Sequence, residues 1–126
     1  MIKGIGTDVI DINRIKTIIA GHGNRFLRKV FTEAEIEYCK SKKNPFIHFA
    51  GRWAAKEAFY KALPLSCQSV SSWKSIQVIF NDGSGKPMVD ISNSALKQCL
   101  RQENIESIQL SISHEKLFCI AFVVLE

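Results

Sequence analysis

The stretch Pro45–Leu63, PFIHFAGRWAAKEAFYKAL, most constrains what this chain can fold into. It is rich in alanine, carries good helix formers at Arg52, Lys56, Glu57, Lys61 and Leu63, and begins with a proline that a first turn tolerates. At about 100° per residue, Phe46, Phe49, Trp53, Tyr60 and Leu63 gather into one apolar stripe. Gly51, Ala54, Ala55, Ala58 and Ala62 fall roughly opposite, where a second element can approach closely. Glu57 lies about 40° from Trp53, at the margin of the stripe, and Lys61 follows one turn later on the same side. Two readings stay open for that pair. It is either an i,i+4 surface pair worth about 0.2–0.5 kcal/mol, or part of a site whose other half lies elsewhere in the chain.

A chain of 126 residues fits one domain with a real core, and 46% hydrophobic with 23% charged residues is ordinary for a soluble globular protein. No apolar run is long enough to span a bilayer, so no membrane is expected. The opening MIKGIGTDVID lacks a signal-peptide layout, and a cytoplasmic location is expected. Cys39, Cys67, Cys99 and Cys119 are scattered without a Cys-x-x-Cys pair, so four free thiols in a reducing compartment are expected. Residues 1–61 hold 12 Lys and Arg against 6 Asp and Glu, whereas residues 62–126 hold 5 against 6. That asymmetry points to an anionic partner for the first half, or is plain solubility charge.

Ile2–Ile10 reads as a strand in which Gly4 and Gly6 allow close backbone approach. It lacks the third glycine of a dinucleotide fingerprint. Asp8 is a carboxylate in an otherwise apolar strand; it either turns the strand end or must be paired or metal-bound, because burial otherwise costs free energy. Asp11 reads as the N-cap of a helix Ile12–Ala20 that His22-Gly23-Asn24 breaks. Arg25–Phe31 is a short basic amphipathic piece, and Thr32-Glu33-Ala34-Glu35 reads as a capping box opening a helix Glu33–Ser41. After Pro64 comes a polar loop, then a hairpin of strands Trp73–Phe80 and Lys86–Ile91 around Asn81–Gly85. A helix capped by Ser92 runs to about Gln102, and Ser107–Ser113 pairs with Leu117–Leu125. The order predicts an α+β fold, an antiparallel sheet covered on one face by helices, one of them long and central.

Asp8 on a glycine-bearing strand and Glu57 on a Trp-x-x-Lys-Glu-Ala helix form a specific combination. In Gly6-Thr7-Asp8-Val9-Ile10-Asp11-Ile12-Asn13-Arg14 and in Phe49–Ala62 the sequence resembles the holo-[acyl-carrier-protein] synthase family of 4′-phosphopantetheinyl transferases, short bacterial type. Gly85-Lys86-Pro87 and Ser111-Ile112-Ser113-His114-Glu115 match two further family elements, and the resemblance covers nearly the whole chain. Pro64 stands where the family commonly has glycine, which leaves the backbone beside Lys61 open.

The resemblance implies transfer of 4′-phosphopantetheine from coenzyme A to a serine of an apo acyl carrier protein, with release of 3′,5′-ADP, in fatty acid biosynthesis. Asp8 and Glu57 would hold Mg²⁺, which takes one or two carboxylates and fills its octahedron with water and phosphate. Lys61 would bind a phosphate oxygen. Arg52 and His114 would take the 3′-phosphate, and Gly85, Lys86 and Pro87 the adenine. The base is Glu57, through a metal-bound water, or Glu115. Arg14, Arg25, Phe26 and Arg28 would receive the acidic carrier, and the family implies a homotrimer with sites between subunits. A basic nucleotide- or RNA-binding module would explain the lopsided charge, but not two carboxylates in apolar settings, so no nucleic acid is expected. A Mg²⁺-dependent nucleotide pyrophosphate hydrolase is the enzymatic alternative.

Overall fold

A computed structural model describes residues 1–126. The helix α3 (Pro45–Ala62) is the rod on which the sheet is laid. Strand β1 (Gly4–Asp11) runs against it with almost no side chain between them. A Cβ at Gly4 would run into the carbonyl oxygen of Ala62, and one at Gly6 into that of Ala58. The close approach expected at these glycines is therefore realised, backbone against backbone.

Strand β5 (Phe118–Leu125) lies between β1 and β4 (Ile108–His114), antiparallel to both. Its alternation sets the layers: Cys119, Ala121, Val123 and Leu125 are buried toward α3, while Phe118, Ile120 and Phe122 face outward. The register places Asp8 and Ile112 on either side of Ala121. Strands β2 (Ile76–Phe80) and β3 (Pro87–Ile91) form a separate antiparallel hairpin beside β4. The expected α+β arrangement holds, with its strands divided between two sheets.

Helix α1 (Ile12–Val30) is capped by Asp11, whose carboxylate accepts from the Asn13 N–H at 2.8 Å. The expected break is a kink at Gly23, which takes φ 51°, a conformation costly to residues with a side chain. Helix α2 (Glu33–Lys40) opens with the expected capping box between Thr32 and Glu35. A short helix α4 (Leu65–Gln68) occupies the polar loop, and Trp73–Ser75 is a 3₁₀ turn rather than the start of β2. Helix α5 (Ser94–Gln102) is capped by Asn93, whose Oδ1 accepts from Leu96, in place of Ser92. No helix is long and apolar enough to cross a membrane.

Three expectations are corrected or resolved. The apolar stripe of α3 is not its whole buried surface: Tyr60 is exposed, whereas Arg52 and Lys56 are buried with the alanines. Cys67 and Cys99 are bonded, joining α4 to α5, so only Cys39 and Cys119 are free. Burial pushes each of those two thiols up to about 11. Pro64 disturbs nothing upstream. It sits at φ −61°, natural for proline, and Leu63 before it is extended, so α3 stops one residue after Lys61. The Gln68 side chain donates to the carbonyls of Tyr60 and Leu63 at the helix end.

Candidate active site

Asp8 belongs to the row of β1 that faces α3, beyond the two glycines. Its Oδ1 accepts from Lys61 Nζ at 2.9 Å, and the same ammonium donates to the Thr7 carbonyl at 3.2 Å. Its Oδ2 is buried and has no partner. Lys61 therefore pairs with Asp8, and of the two readings open for Glu57 and Lys61 the i,i+4 ion pair does not form. The bond to Asp8 holds the Lys61 ammonium above its ordinary pKa, while the side chain stays 52% exposed.

Glu57 lies near enough to Asp8 to feel its charge. Burial first, and then the negative Asp8, push the Glu57 carboxyl above its usual value; Lys61 and Arg14 pull the other way. Two carboxylates that repel each other, one with a buried orphaned oxygen, form a cation-seeking arrangement. No cluster of three or more His, Cys, Asp or Glu residues exists in the chain, so water and a substrate oxygen would complete any coordination sphere here. Beside Glu57 a mainly apolar cavity of about 370 Å³ opens between Tyr60, Phe59 and Trp73.

Arg52, Gly85, Pro87 and His114 meet around a second cavity, of about 270 Å³. Arg52 is 3% exposed. Its guanidinium lies 4.5 Å from the Tyr38 ring centre and 5.0 Å from that of Phe80, and its Nε has no partner. A buried guanidinium held by aromatic faces, with a donor left over, is poised for an anion. Lys86 stays exposed in the turn, where its carbonyl accepts from Asn81. Glu115 is exposed in the β4–β5 turn beside His114.

The two constellations sit on different sides of α3. Five positions separate Arg52 from Glu57, about 140° around the helix and about 7.5 Å along it; Lys61 is about 180° from Arg52. Their cavities share no residue. Of the basic positions expected to meet a carrier, Arg14, Arg25 and Arg28 are exposed on α1, whereas Phe26 packs edge-on against Trp53 and Phe31.

One network was not anticipated from sequence. Lys56 is buried, its Nζ 2.7 Å from Glu35 and within 3.0 Å of the carbonyls of Val30, Trp73 and Ile76. Glu35 also accepts from Thr32 and Val78, so it serves the capping box and the core at once. This knot fixes Trp73, on the wall of the Glu57 cavity. His48 is the other omission. It lies one helical turn before Arg52, a spacing that places both on one face.

The chain matches the 4′-phosphopantetheinyl transferase superfamily over residues 4–123. It is 45% identical over 124 residues to a holo-[acyl-carrier-protein] synthase of Halothermothrix orenii, covering 98% of this chain and 97% of that one. The crystal structure of holo-[acyl-carrier-protein] synthase from Neisseria meningitidis superposes with TM-score 0.86 at 32% identity, covering 100% of this chain and 99% of that one. The enzyme from Bacillus anthracis in complex with CoA (3′,5′-ADP) does so with TM-score 0.79 at 35% identity, over 99% and 96% of the two chains. The chain belongs to the 4′-phosphopantetheinyl transferase superfamily and, within it, to the holo-[acyl-carrier-protein] synthase family of enzymes.

Proposed function

We propose that this protein, as one catalytic domain in the cytoplasm, moves the 4′-phosphopantetheine group of coenzyme A onto a serine of an apo acyl carrier protein, serving fatty acid biosynthesis. The observation that carries the chemistry is the Asp8–Glu57 pair, with its orphaned buried oxygen and mutual repulsion, next to the half-exposed ammonium of Lys61. In the reaction the serine Oγ forms a bond to the β-phosphorus, the bond from that phosphorus to the bridging oxygen breaks, and 3′,5′-ADP leaves with the electron pair. Mg²⁺ held by Asp8 and Glu57 would supply neutralisation of charge on the phosphate oxygens. Lys61, leaving Asp8, binds a phosphate oxygen as charge develops there. The serine proton is drawn toward Glu57, which stands with Asp8 and Lys61 where the phosphate reacts, rather than toward Glu115, exposed in the β4–β5 turn.

Arg52 and His114 hold the 3′-phosphate, and the turn of Gly85, Lys86 and Pro87 lies along the adenine. One coenzyme A molecule cannot readily satisfy both constellations of one chain, because α3 stands between them. That separation favours a site shared between copies of the chain. The outer face of the three-stranded sheet supports the same reading: Phe118, Ile120 and Phe122 are 49%, 47% and 47% exposed there, with Ile5 and Val9 beside them. A contiguous apolar face of this kind marks an interface. We assign it to contacts within a homotrimer, and assign Arg14, Arg25 and Arg28, with Phe26 at their edge, to the acidic carrier protein.

The test is the intact mass of an apo acyl carrier protein after incubation with this protein, coenzyme A and Mg²⁺. Gain of one phosphopantetheine mass, dependent on Mg²⁺, is expected. Consumption of coenzyme A with no change in carrier mass would refute the transferase reading in favour of hydrolysis.

A further inference from the structure

We propose that His48 is a specificity-determining residue that recognises the 3′-phosphate of the donor, so that a donor lacking this group is selected against. The inference rests on the reading of the Arg52 cavity as the phosphate end of the donor site. Within that cavity His48 and His114 stand around Arg52, and no Asp or Glu lines the wall. A phosphomonoester presents three terminal oxygens and close to two negative charges. Arg52, His114 and His48 all line this cavity with nitrogen donors, and the buried Arg52 Nε has no partner.

The surroundings of His48 suit it to this role. Its ring meets Tyr38 edge-on, with centres 6.0 Å apart and an interplanar angle of 81°, which fixes its orientation. Tyr38 also carries the Arg52 guanidinium on its ring, so one aromatic side chain positions both residues. Arg52 on α3, Lys42 on the preceding link and His114 at the end of β4 all face His48 with basic groups. Burial and these neighbours hold its pKa below the ordinary value, a phosphate dianion in the cavity would draw it back up, and in either protonation state the ring keeps an N–H to donate. A donated hydrogen bond to an ionised phosphate is stronger than one to a neutral acceptor, and the water it displaces gains no such partner.

The test compares coenzyme A with 3′-dephospho-coenzyme A as donors in the carrier-modification assay, using wild type, His48→Phe and His48→Gln. Phenylalanine keeps the edge contact with Tyr38 and removes the N–H; glutamine restores a donor. His48→Phe is expected to raise KM for coenzyme A about tenfold, equivalent to about 1.4 kcal/mol, with kcat within about twofold and KM for the dephospho donor unmoved. His48→Gln is expected to recover most of the loss. A fall of equal size with both donors would assign His48 a structural role and overturn the inference, as would a phenylalanine variant with unchanged preference. Wild-type protein that uses both donors equally would instead refute the phosphate reading of the Arg52 cavity, whatever the variants do.

Discussion

Glu35→Gln should be far more damaging than an isosteric change suggests. Glu35 and Lys56 are each 1% exposed in their side chains, with Oε1 2.7 Å from Nζ. At an effective dielectric constant near 20 the gross attraction is about 6 kcal/mol. Removing one partner of such a buried pair typically costs about 3–5 kcal/mol, because the other charge stays uncompensated. Lys56 keeps three carbonyl acceptors, which places the expected loss near the lower end, about 3 kcal/mol. The amide also has one oxygen where Glu35 has two accepting ones, so either Val78 or the Thr32–Lys56 side meets a donor. Urea unfolding followed by tryptophan fluorescence measures the loss, with an unchanged m-value confirming that stability alone has moved.

Its pH dependence gives a second, sharper test. Burial holds the Lys56 pKa below 10.5, against the opposing pull of Glu35. Between the folded and unfolded values the unfolded chain binds more protons, so stability rises with pH in that window. Without Glu35 the folded value falls further and the window opens lower. The deficit of the variant should therefore be largest near neutrality and shrink as pH approaches 10.5. A loss below about 1 kcal/mol at pH 7, or a deficit that grows with pH, would refute the assignment of Lys56 as a buried cation sustained by Glu35.

Four further outcomes are expected. The raised Glu57 pKa means that ionising this group destabilises the folded protein as pH rises above 4.5, so Glu57→Gln should melt no lower than wild type at pH 7 without Mg²⁺, and Mg²⁺ should raise only the wild-type Tm; thermal scans with and without Mg²⁺ decide this. Lys61→Ala should lower turnover about tenfold or more while carrier binding is retained, and unchanged kcat would leave Lys61 as a partner of Asp8 alone. Gly6→Ala sets a methyl group against the backbone of Ala58 and Ala62, which cannot yield as a side chain can, so denaturation should show a loss of about 3 kcal/mol or more. Phe122→Asp on the outer sheet face should shift sedimentation to monomer and abolish carrier modification; an unchanged assembly would remove that face from the interface.

The parts of the site legible in sequence are those with a local signature. Asp8 stood out because its strand neighbours are glycine and β-branched residues, and Glu57 because it flanks an aromatic stripe; the structure brings the two within electrostatic reach. Asp11 and Thr32 were readable as caps because a cap is a contact over two or three residues. Lys56 was not readable. Helical periodicity scores a lysine as solvent-seeking, and only the distant Glu35, which already satisfied a capping box, makes its burial tolerable. Arg52 was placed in the phosphate site by resemblance alone, since the Tyr38 and Phe80 rings that hold it come from other elements. The Cys67–Cys99 bond was hidden for the same reason: α4 and α5 are neighbours only after folding.

Placing Glu57 and Arg52 on different sides of one rod has a consequence for damaged mixtures. In a site shared between copies, as proposed above, each subunit would lend its acidic groups to one reaction and its guanidinium to another. A population carrying Asp8→Asn and a population carrying Arg52→Ala would each be inert alone, yet subunit exchange would rebuild some undamaged junctions from the healthy half of each. Activity returning on mixing would report the geometry of a single helix.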